Sequence, residues 1–347
     1  MSASNAAPAP ARGLIEPPTL TAIQRAADLL RAGDIVGMPT ETVYGLGADA
    51  LNPEAVARIF AAKGRPADHP LIVHLPDASH MTRWASSIPK EAIALARAFW
   101  PGPLTLILPR LPGVATAATG GQDSVGVRCP SHPVAQAVLR ACARTDAALG
   151  GHPVWGVAAP SANRFGRVSP TTAPHVQDEL GADLLVLDGG ACGVGIESTI
   201  VDCTRGVPVL LRPGAVTREQ IQSACGVAPL SKEDLPDHTP RASGTLESHY
   251  APTARVRLMD AKALQTSLDL LGADAAHLAV YARSPVRSAS RQVLMRRMPT
   301  DATAAAQELF ATLRSLDDAG VKLIWIETPP ADPAWEGVRD RLQRAAA

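Results

Sequence analysis

Between residues 226 and 252 the chain reads GVAPLSKEDLPDHTPRASGTLESHYAP, rich in Pro, Gly, Ser and charge and without an apolar period. Such a stretch offers no face that a helix or strand could bury, so it splits the 347 residues into two units, each needing its own core. It is also long enough to do more than connect. The chain is 46% hydrophobic and 19% charged, the composition of a folded enzyme and not of a disordered chain. Lys+Arg and Asp+Glu are both 33, so there is no whole-chain basic field for nucleic acid. Any anion site must be a local concentration of charge.

No apolar run reaches the length of a membrane span. The start, MSASNAAPAPARG, has neither a basic n-region nor an apolar h-region, and residues 1–18 read as a disordered tail. Five cysteines, Cys129, Cys142, Cys192, Cys203 and Cys225, are widely spread with no C-x-x-C. They suggest neither a zinc site nor a disulfide framework, and a cytoplasmic location is the expectation.

Helical spacing between capping residues predicts helices over 19–33, 52–64, KEAIALARAFW and HPVAQAVLRACART. In the second of these Asn52 is the cap, Pro53 the first helical residue and Gly64 the stop. Short apolar runs (DIVGMP, PLIVHL, LTLILP, SVGVRCP, PVWGVAAPSAN, DLLVLDGG, STIVDCT, PVLLRPG) read as strands. Residues 19–225 therefore form a mixed α/β sheet covered by helices. Past the linker, residues 253–347 alternate strand and helix as a small doubly wound domain does.

Five segments carry candidate chemistry. PTETVYGLGADA (39–50) places two hydroxyls and a carboxylate after a strand, a set that can grip a zwitterion or simply cap a turn. Its GLGADA also matches a dinucleotide fingerprint, weakly, because PTETVY separates it from the preceding strand. KGRPADHPLIVH (63–74) sets Lys63 and Arg65 at the end of the second helix with His69 and His74 nearby. A point charge beside a planar fork suits a polyphosphate, each charge-assisted bond contributing roughly 1.5–3 kcal/mol. A complement to the helix dipole explains one of the two cations, and a structural histidine explains either imidazole. SVGVRCPSHP ends a strand on Arg128, which faces a ligand or forms a surface ion pair. APSANRFGRVSP holds Ser161, Asn163 and Ser169, a neutral cradle for phosphate or ordinary turn chemistry. GIESTIVD and LLRPG contribute Ser198 and Arg212. Walker A, G-x-S-x-G and H-E-x-x-H are all absent from the sequence.

In order, PTETVYGLG, KGRP…PLIVH, WPGPLTLIL, VGVRCPSHP, APSAN…S, GIESTIVD and LRPG resemble the YrdC-like family, and specifically its two-domain threonylcarbamoyl-AMP synthases. HYAP at 249–252 and the domain behind it resemble the longer form. The resemblance implies a twisted mixed sheet curled around a large concave, positively lined groove, with a smaller C-terminal Rossmann-like α/β domain. It implies that L-threonine, bicarbonate or CO₂, and ATP give threonylcarbamoyl-adenylate and pyrophosphate. A separate tRNA threonylcarbamoyl-transferase would use the product beside the anticodon, with at most a weak tRNA contact here. Carried over by position, Thr42, His74, Arg128, Ala159 and Ser198 surround threonine. Arg65, His69, Ser124, Ser161, Ser169, Arg212 and Tyr250 surround ATP, and Lys63 and Asn163 complete the phosphate wall. Tyr250 would close over the nucleotide. Mg²⁺ is expected, held mainly by the nucleotide, with no protein metal site. His69 stands where the family usually has Asn, and ASGTLE stands where many relatives have Ser-Pro-Gly followed by basic residues. The alternatives are an RNA-binding module without synthase activity, poorly supplied by 3% aromatics and zero net charge, and a nicotinamide oxidoreductase through GLGADA. A carbamoyl transferase of hydrogenase maturation shares the fold, but its acylphosphatase-like and zinc-finger segments are missing.

Overall fold

The computed structural model describes residues 15–144, 152–231, 234 and 250–347. The first domain runs β1 (Ile15–Glu16), α1 (Leu20–Arg31), β2 (Val36–Met38), β3 (Gly45–Asp49), α2 (Pro53–Lys63), β4 (Ile72–His74), α3 (Lys90–Phe99), β5 (Leu104–Pro109), β6 (Ser124–Arg128), α4 (Pro133–Cys142), β7 (Val157–Ala158), α5 (Ala173–Leu180), β8 (Val186–Leu187), β9 (Thr199–Asp202), β10 (Val209–Arg212), α6 (Arg218–Cys225) and β11 (Leu230–Ser231). Among the described residues these strands form one mixed sheet in the order β1-β8-β2-β3-β7-β4-β6-β5-β9-β10-β11.

Local chemistry sets the helix ends. The Thr19 hydroxyl caps α1 by accepting from Ala22 N, and the Asn52 amide caps α2 by accepting from Glu54 N and Ala55 N. Gly64 ends α2 in the left-handed region, at φ +62°. Helices cover both faces of the sheet. Ala26, Ala27 and Leu30 of α1 pack with Val138 and Leu139 of α4 over Val36, Met38 and Val157. On the other face Val56, Ile59, Leu95 and Ile221 pack against Leu46, Ala48, Val73 and Leu106.

Four sequence expectations are corrected. Ile15 and Glu16 do not belong to a tail: they pair in parallel with Val186 and Leu187 as an edge strand too short to show a period. Residues 1–14 lie outside the described residues. GLGAD is a fully buried strand, antiparallel to β2 and β7, and not a strand-to-helix turn, so its glycines form no dinucleotide loop. The helices α5 and α6 went unrecognised because eight residues hold barely two turns of periodicity. In α6 the reciprocal Thr217–Gln220 capping box was the available signal. The linker starts later than residue 226, since Leu230–Ser231 joins the sheet against β10. Apart from Asp234, residues 232–249, Glu247 included, lie outside the described residues.

The second domain runs β12 (Arg255–Met259), α7 (Ala261–Leu271), β13 (Leu278–Ala282), β14 (Leu294–Arg297), α8 (Ala302–Asp318), β15 (Leu323–Glu327) and α9 (Glu336–Ala346). Its four strands are all parallel, in the order β12-β15-β13-β14. Strand alternation divides the side chains: Leu278, Val280 and Trp325 face α7, whereas Ala279, Tyr281, Ile324 and Ile326 face α8 and α9. The α8/α9 core is continuous with the first domain through Val43, Val168, Ile196 and Tyr250. Each large apolar side chain buried there contributes roughly 1.5–3 kcal/mol, so the two domains are cemented together, not strung on a tether.

Close approach at this interface depends on glycine. Gly195 has φ +80°, and a Cβ there would lie 2.3 Å from the Gln307 carbonyl oxygen and 2.5 Å from that of Ala306, both on α8. Gly195→Ala is expected to lower unfolding free energy by more than about 1 kcal/mol, because backbone strain and a backbone clash act together. Urea denaturation checks this; a midpoint within error of the parent would mean the interface yields freely.

Candidate active site

Strand direction gathers the site. β4 and β6 are parallel, and His74 pairs in register with Arg128, so the last residues of both strands stand side by side. β5 is antiparallel to β6 and parallel to β9, so β9 begins where β6 ends, and Ser198 immediately precedes β9. β10 runs antiparallel to β9 and ends on Arg212 at the same edge. The result is one pocket lined by Thr42, Lys63, Arg65, His74, Arg128, Ala159, Ser161, Asn163, Ser198, Arg212 and Tyr250, together with Phe165 and Glu197. Its atom-free space, open solvent at the mouth included, is about 560 Å³. Tyr250 closes it. The Tyr250 ring stacks 5.4 Å from that of Phe310, and its backbone takes φ +63°, rare for a bulky residue.

One half of the pocket is strongly cationic. Lys63, Arg65 and Arg212 are all buried. The Lys63 ammonium donates to the carbonyl oxygens of Ser161 and Asn163. This bond set explains physically why Lys-x-Arg and Ser-x-Asn occur together: the helix end fastens the loop. An ammonium has three donors, so one remains for a ligand. Burial pushes Lys63 well below the usual lysine range, Arg65 adds to the effect, and the carboxylates of Glu179 and Glu197 oppose it. Burial likewise takes Arg65 down to about 10 and lowers Arg212. Arg65 donates to the Pro70 carbonyl at 2.9 Å and lies 6.0 Å from the Phe165 ring centre. Arg212 holds Ser198 through its carbonyl (3.0 Å) and its hydroxyl (3.1 Å). Crowding these cations without water is unfavourable by itself, and an anionic ligand would relieve it.

The other half centres on Arg128, whose charge is paired. Arg128 donates to the Thr42 hydroxyl at 2.8 Å and to the Glu41 carboxylate at 2.6 Å. Glu41 also accepts from Ser131 N, so its carboxylate serves Arg128 and is not the ammonium grip that the motif suggested. Burial acts against its charge, but the Arg128 guanidinium holds its carboxyl below the usual range. Burial and Arg128 together take the His74 imidazole down to about 3, so it is neutral at physiological pH. Among the described residues His74 Nδ1 and Asn163 Oδ1 are buried without a hydrogen-bond partner. Both residues line the pocket, where a polar ligand group can satisfy these atoms.

Three predicted residues stand apart from the lining. His69 packs edge-on against Phe165, ring centres 5.3 Å apart, and Phe165 lines the pocket. Ser124 opens β6, at the opposite end of the strand from Arg128. Ser169 is fully buried behind the wall, its hydroxyl donating to Glu197. The sequence reading passed over Glu197, although it sits inside GIESTIVD beside Ser198; a carboxylate within an otherwise apolar strand entry was the usable signal. It also passed over Phe165. All five cysteines are free thiols, four of them buried. Among the described residues no group of three His, Cys, Asp or Glu side chains is placed to hold a metal ion.

Comparison with known proteins bears on this geometry. A family model described as telomere recombination, covering Sua5, YciO and YrdC, matches residues 28–214, and one described as threonylcarbamoyl-AMP synthase, C-terminal domain, matches residues 216–347. The threonylcarbamoyl-AMP synthase of Bacillus subtilis is 39% identical over 333 residues, covering 93% of this chain and 92% of that one. The Schizosaccharomyces pombe enzyme of that name is 36% identical, covering 95% and 89%. The crystal structure of Pyrococcus abyssi Sua5 complexed with L-threonine superposes with a TM-score of 0.82 at 36% identity, covering 93% of this chain and 94% of that one. With both domains matched and relatives similar along nearly their whole length, the chain belongs to the threonylcarbamoyl-AMP synthase family.

Proposed function

We propose that the pocket converts L-threonine, bicarbonate or CO₂, and ATP into threonylcarbamoyl-adenylate and pyrophosphate. The observation that carries this reading is one pocket with a buried cationic half and a second half in which Arg128 is paired with Glu41 and His74 Nδ1 lacks a hydrogen-bond partner. A triphosphate fits the first and an amino acid the second. The relatives' name favours the synthase over an RNA-binding module, and GLGAD as a buried strand removes the reason to consider a nicotinamide enzyme.

In this reading Thr42, His74, Arg128, Ala159 and Ser198 hold threonine. Arg128 offers charge to the carboxylate while its own partners fix it, and neutral His74 hydrogen-bonds without adding a second cation. The threonine amine loses a proton and bonds to CO₂, giving a carbamate. A carbamate oxygen then attacks the α-phosphorus of ATP, the bond from that phosphorus to the bridging oxygen breaks, and pyrophosphate leaves with the bonding pair. Such a displacement needs placement and charge stabilisation more than covalent help. Lys63, Arg65 and Arg212 meet the negative charge of the triphosphate, and Ser161 presents a hydroxyl to it. The Asn163 amide nitrogen is spent on the Arg164 and Arg167 carbonyls, which leaves Asn163 Oδ1 to accept from a donor on the nucleotide such as a hydroxyl. Ser169 shapes the wall through Glu197, and His69 acts through Phe165; a Ser124 contact requires the nucleotide to extend past β6. Tyr250 covers the mouth and keeps water from a mixed anhydride that hydrolyses readily, so entry and exit require it to move. The donors present are hydroxyls, amides and cations, so Mg²⁺ would arrive on the triphosphate and shield its charge there. The product goes to a tRNA threonylcarbamoyl-transferase for the adenosine beside the anticodon, with any tRNA contact of this chain weak. Among the described residues no helix is long and apolar enough to cross a membrane; we place the enzyme in the cytoplasm, where these substrates are found.

Mass spectrometry of a mixture of ATP, bicarbonate and threonine tests the reading directly: threonylcarbamoyl-adenylate is expected, and ATP turnover without that adduct would refute it. Lys63→Ala and Arg65→Ala are each expected to reduce pyrophosphate release about a hundredfold or more, with the far-ultraviolet circular dichroism spectrum retained. Near-normal turnover in both would mean these cations do not serve the reaction. A triphosphate raises the lowered proton affinity of Lys63, so wherever Lys63 is partly neutral in the free protein, ATP binding takes up protons. ATP affinity should therefore weaken as pH rises through the range in which Lys63 loses its proton, which burial places below the usual lysine range. Calorimetry in buffers of different ionisation heat reads the uptake; proton release on binding contradicts it.

A further inference from the structure

Two arginines cross from the second domain into the wall of the first. Arg314 on α8 donates to the Val168 and Ser169 carbonyls and lies 3.0 Å from the Glu179 carboxylate. Arg341 on α9 is completely buried. Its Nε donates to Glu197 Oε2 at 2.9 Å, its Nη2 to the Glu197 carbonyl at 3.2 Å and its Nη1 to the Pro213 carbonyl at 2.8 Å. Its guanidinium carbon lies 5.3 Å from the Tyr250 ring centre. Arg341 does not line the pocket, but Glu197 does. The contacts fall on the segments that carry Ser169, Ser198 and Arg212.

We propose that Arg341 is a positioning residue for the nucleotide: by fixing and neutralising Glu197 from behind, it leaves Arg212 to the triphosphate, so that the ATP half of the site is incomplete without the second domain. The proposal rests on the pocket being an ATP site. A carboxylate beside a polyanion site repels the ligand unless a cation outside the site neutralises it. Arg212 is placed to replace Arg341: it adjoins the Pro213 that Arg341 holds and is bonded to Ser198, the residue after Glu197. A guanidinium drawn onto Glu197 is withdrawn from phosphate. Lysine could restore the charge but not the fork that binds a carboxylate and two carbonyls together. The Arg341 guanidinium spends its hydrogen bonds on Glu197, Pro213 and Asp340; of the threonine group only Ser198 adjoins one of these, whereas Thr42, His74, Arg128 and Ala159 do not, so the effect falls mainly on ATP.

The test uses the full chain, with ATP and threonine titrated separately by calorimetry and stability followed by thermal denaturation. Arg341→Gln is expected to weaken ATP binding about tenfold or more with threonine affinity changed less than about twofold, and Arg341→Lys to recover only part of the loss. Glu336→Gln breaks another ion pair across the same interface, Glu336 to Arg218 at 3.0 Å, without touching the pocket. It should leave both affinities near the parent values. In a Glu197→Gln background the pocket-lining carboxylate is gone and Asp340 still pairs with Arg344 at 2.9 Å, so adding Arg341→Gln should then change ATP affinity less than about twofold. Equal loss of both ligands in Arg341→Gln, unchanged ATP affinity, or an equal loss in Glu336→Gln would overturn the proposal. If Arg341→Gln alone does not fold, the comparison of Glu197→Gln with the double variant decides: a tenfold gap in ATP affinity overturns the proposal, and near-equality supports it. A parent protein that binds ATP but forms no adenylate would refute the functional reading while leaving this effect on binding measurable.

Discussion

Lys63, Arg65, Arg128 and Arg212 are buried around one pocket of a chain whose net charge is zero. Cations taken out of water are tolerated only where other groups answer them. Here backbone carbonyls answer Lys63, Glu41 answers Arg128, and the Ser198 carbonyl and hydroxyl answer Arg212. Much of the remaining structure is a consequence of that requirement. The loop at Ser161–Asn163 is fastened by Lys63, and the turn at Glu41–Val43 is fastened by Arg128.

The second domain enters the same balance of charge. Glu179 and Glu197 both bear on Lys63, and each is held by an arginine from the other side of the interface, Arg314 and Arg341 respectively. An apolar cluster shared by both domains seals these pairs from solvent. The interface is thus an extension of the pocket wall, which gives the second domain a physical part in a site whose lining comes almost wholly from the first.

Much of this was legible in the sequence where chemistry is local. The Asn52 cap, Pro53 and Gly64 delimit α2 in the chain as they do in the fold. The apolar run at 104–109 became β5 without change, and SVGVRCP became β6 without its last two residues. Lys63, Arg65, Arg128, Ser161, Asn163 and Arg212 were singled out by residue type and neighbourhood, and the fold brings them together. GLGAD misled because two glycines in a strand look like a turn, whereas here Gly45 and Gly47 let Ala159 and Val157 approach closely. Glu41 looked like a ligand group because nothing local reveals that Arg128, distant in sequence, will claim it.

What the sequence determined by itself was the inventory: two cores separated at the linker, the helix ends, the strand periods, and a set of cationic and hydroxyl side chains at strand ends and turns. These come from short-range rules of capping, alternation and backbone freedom. Tertiary structure alone decided which carboxylate pairs with which arginine, that His74 stays neutral, that Ser169 lies behind the wall, and that Arg341 reaches Glu197. Those outcomes depend on burial and on contacts between residues far apart in the chain, and neither quantity exists until the sheet has closed.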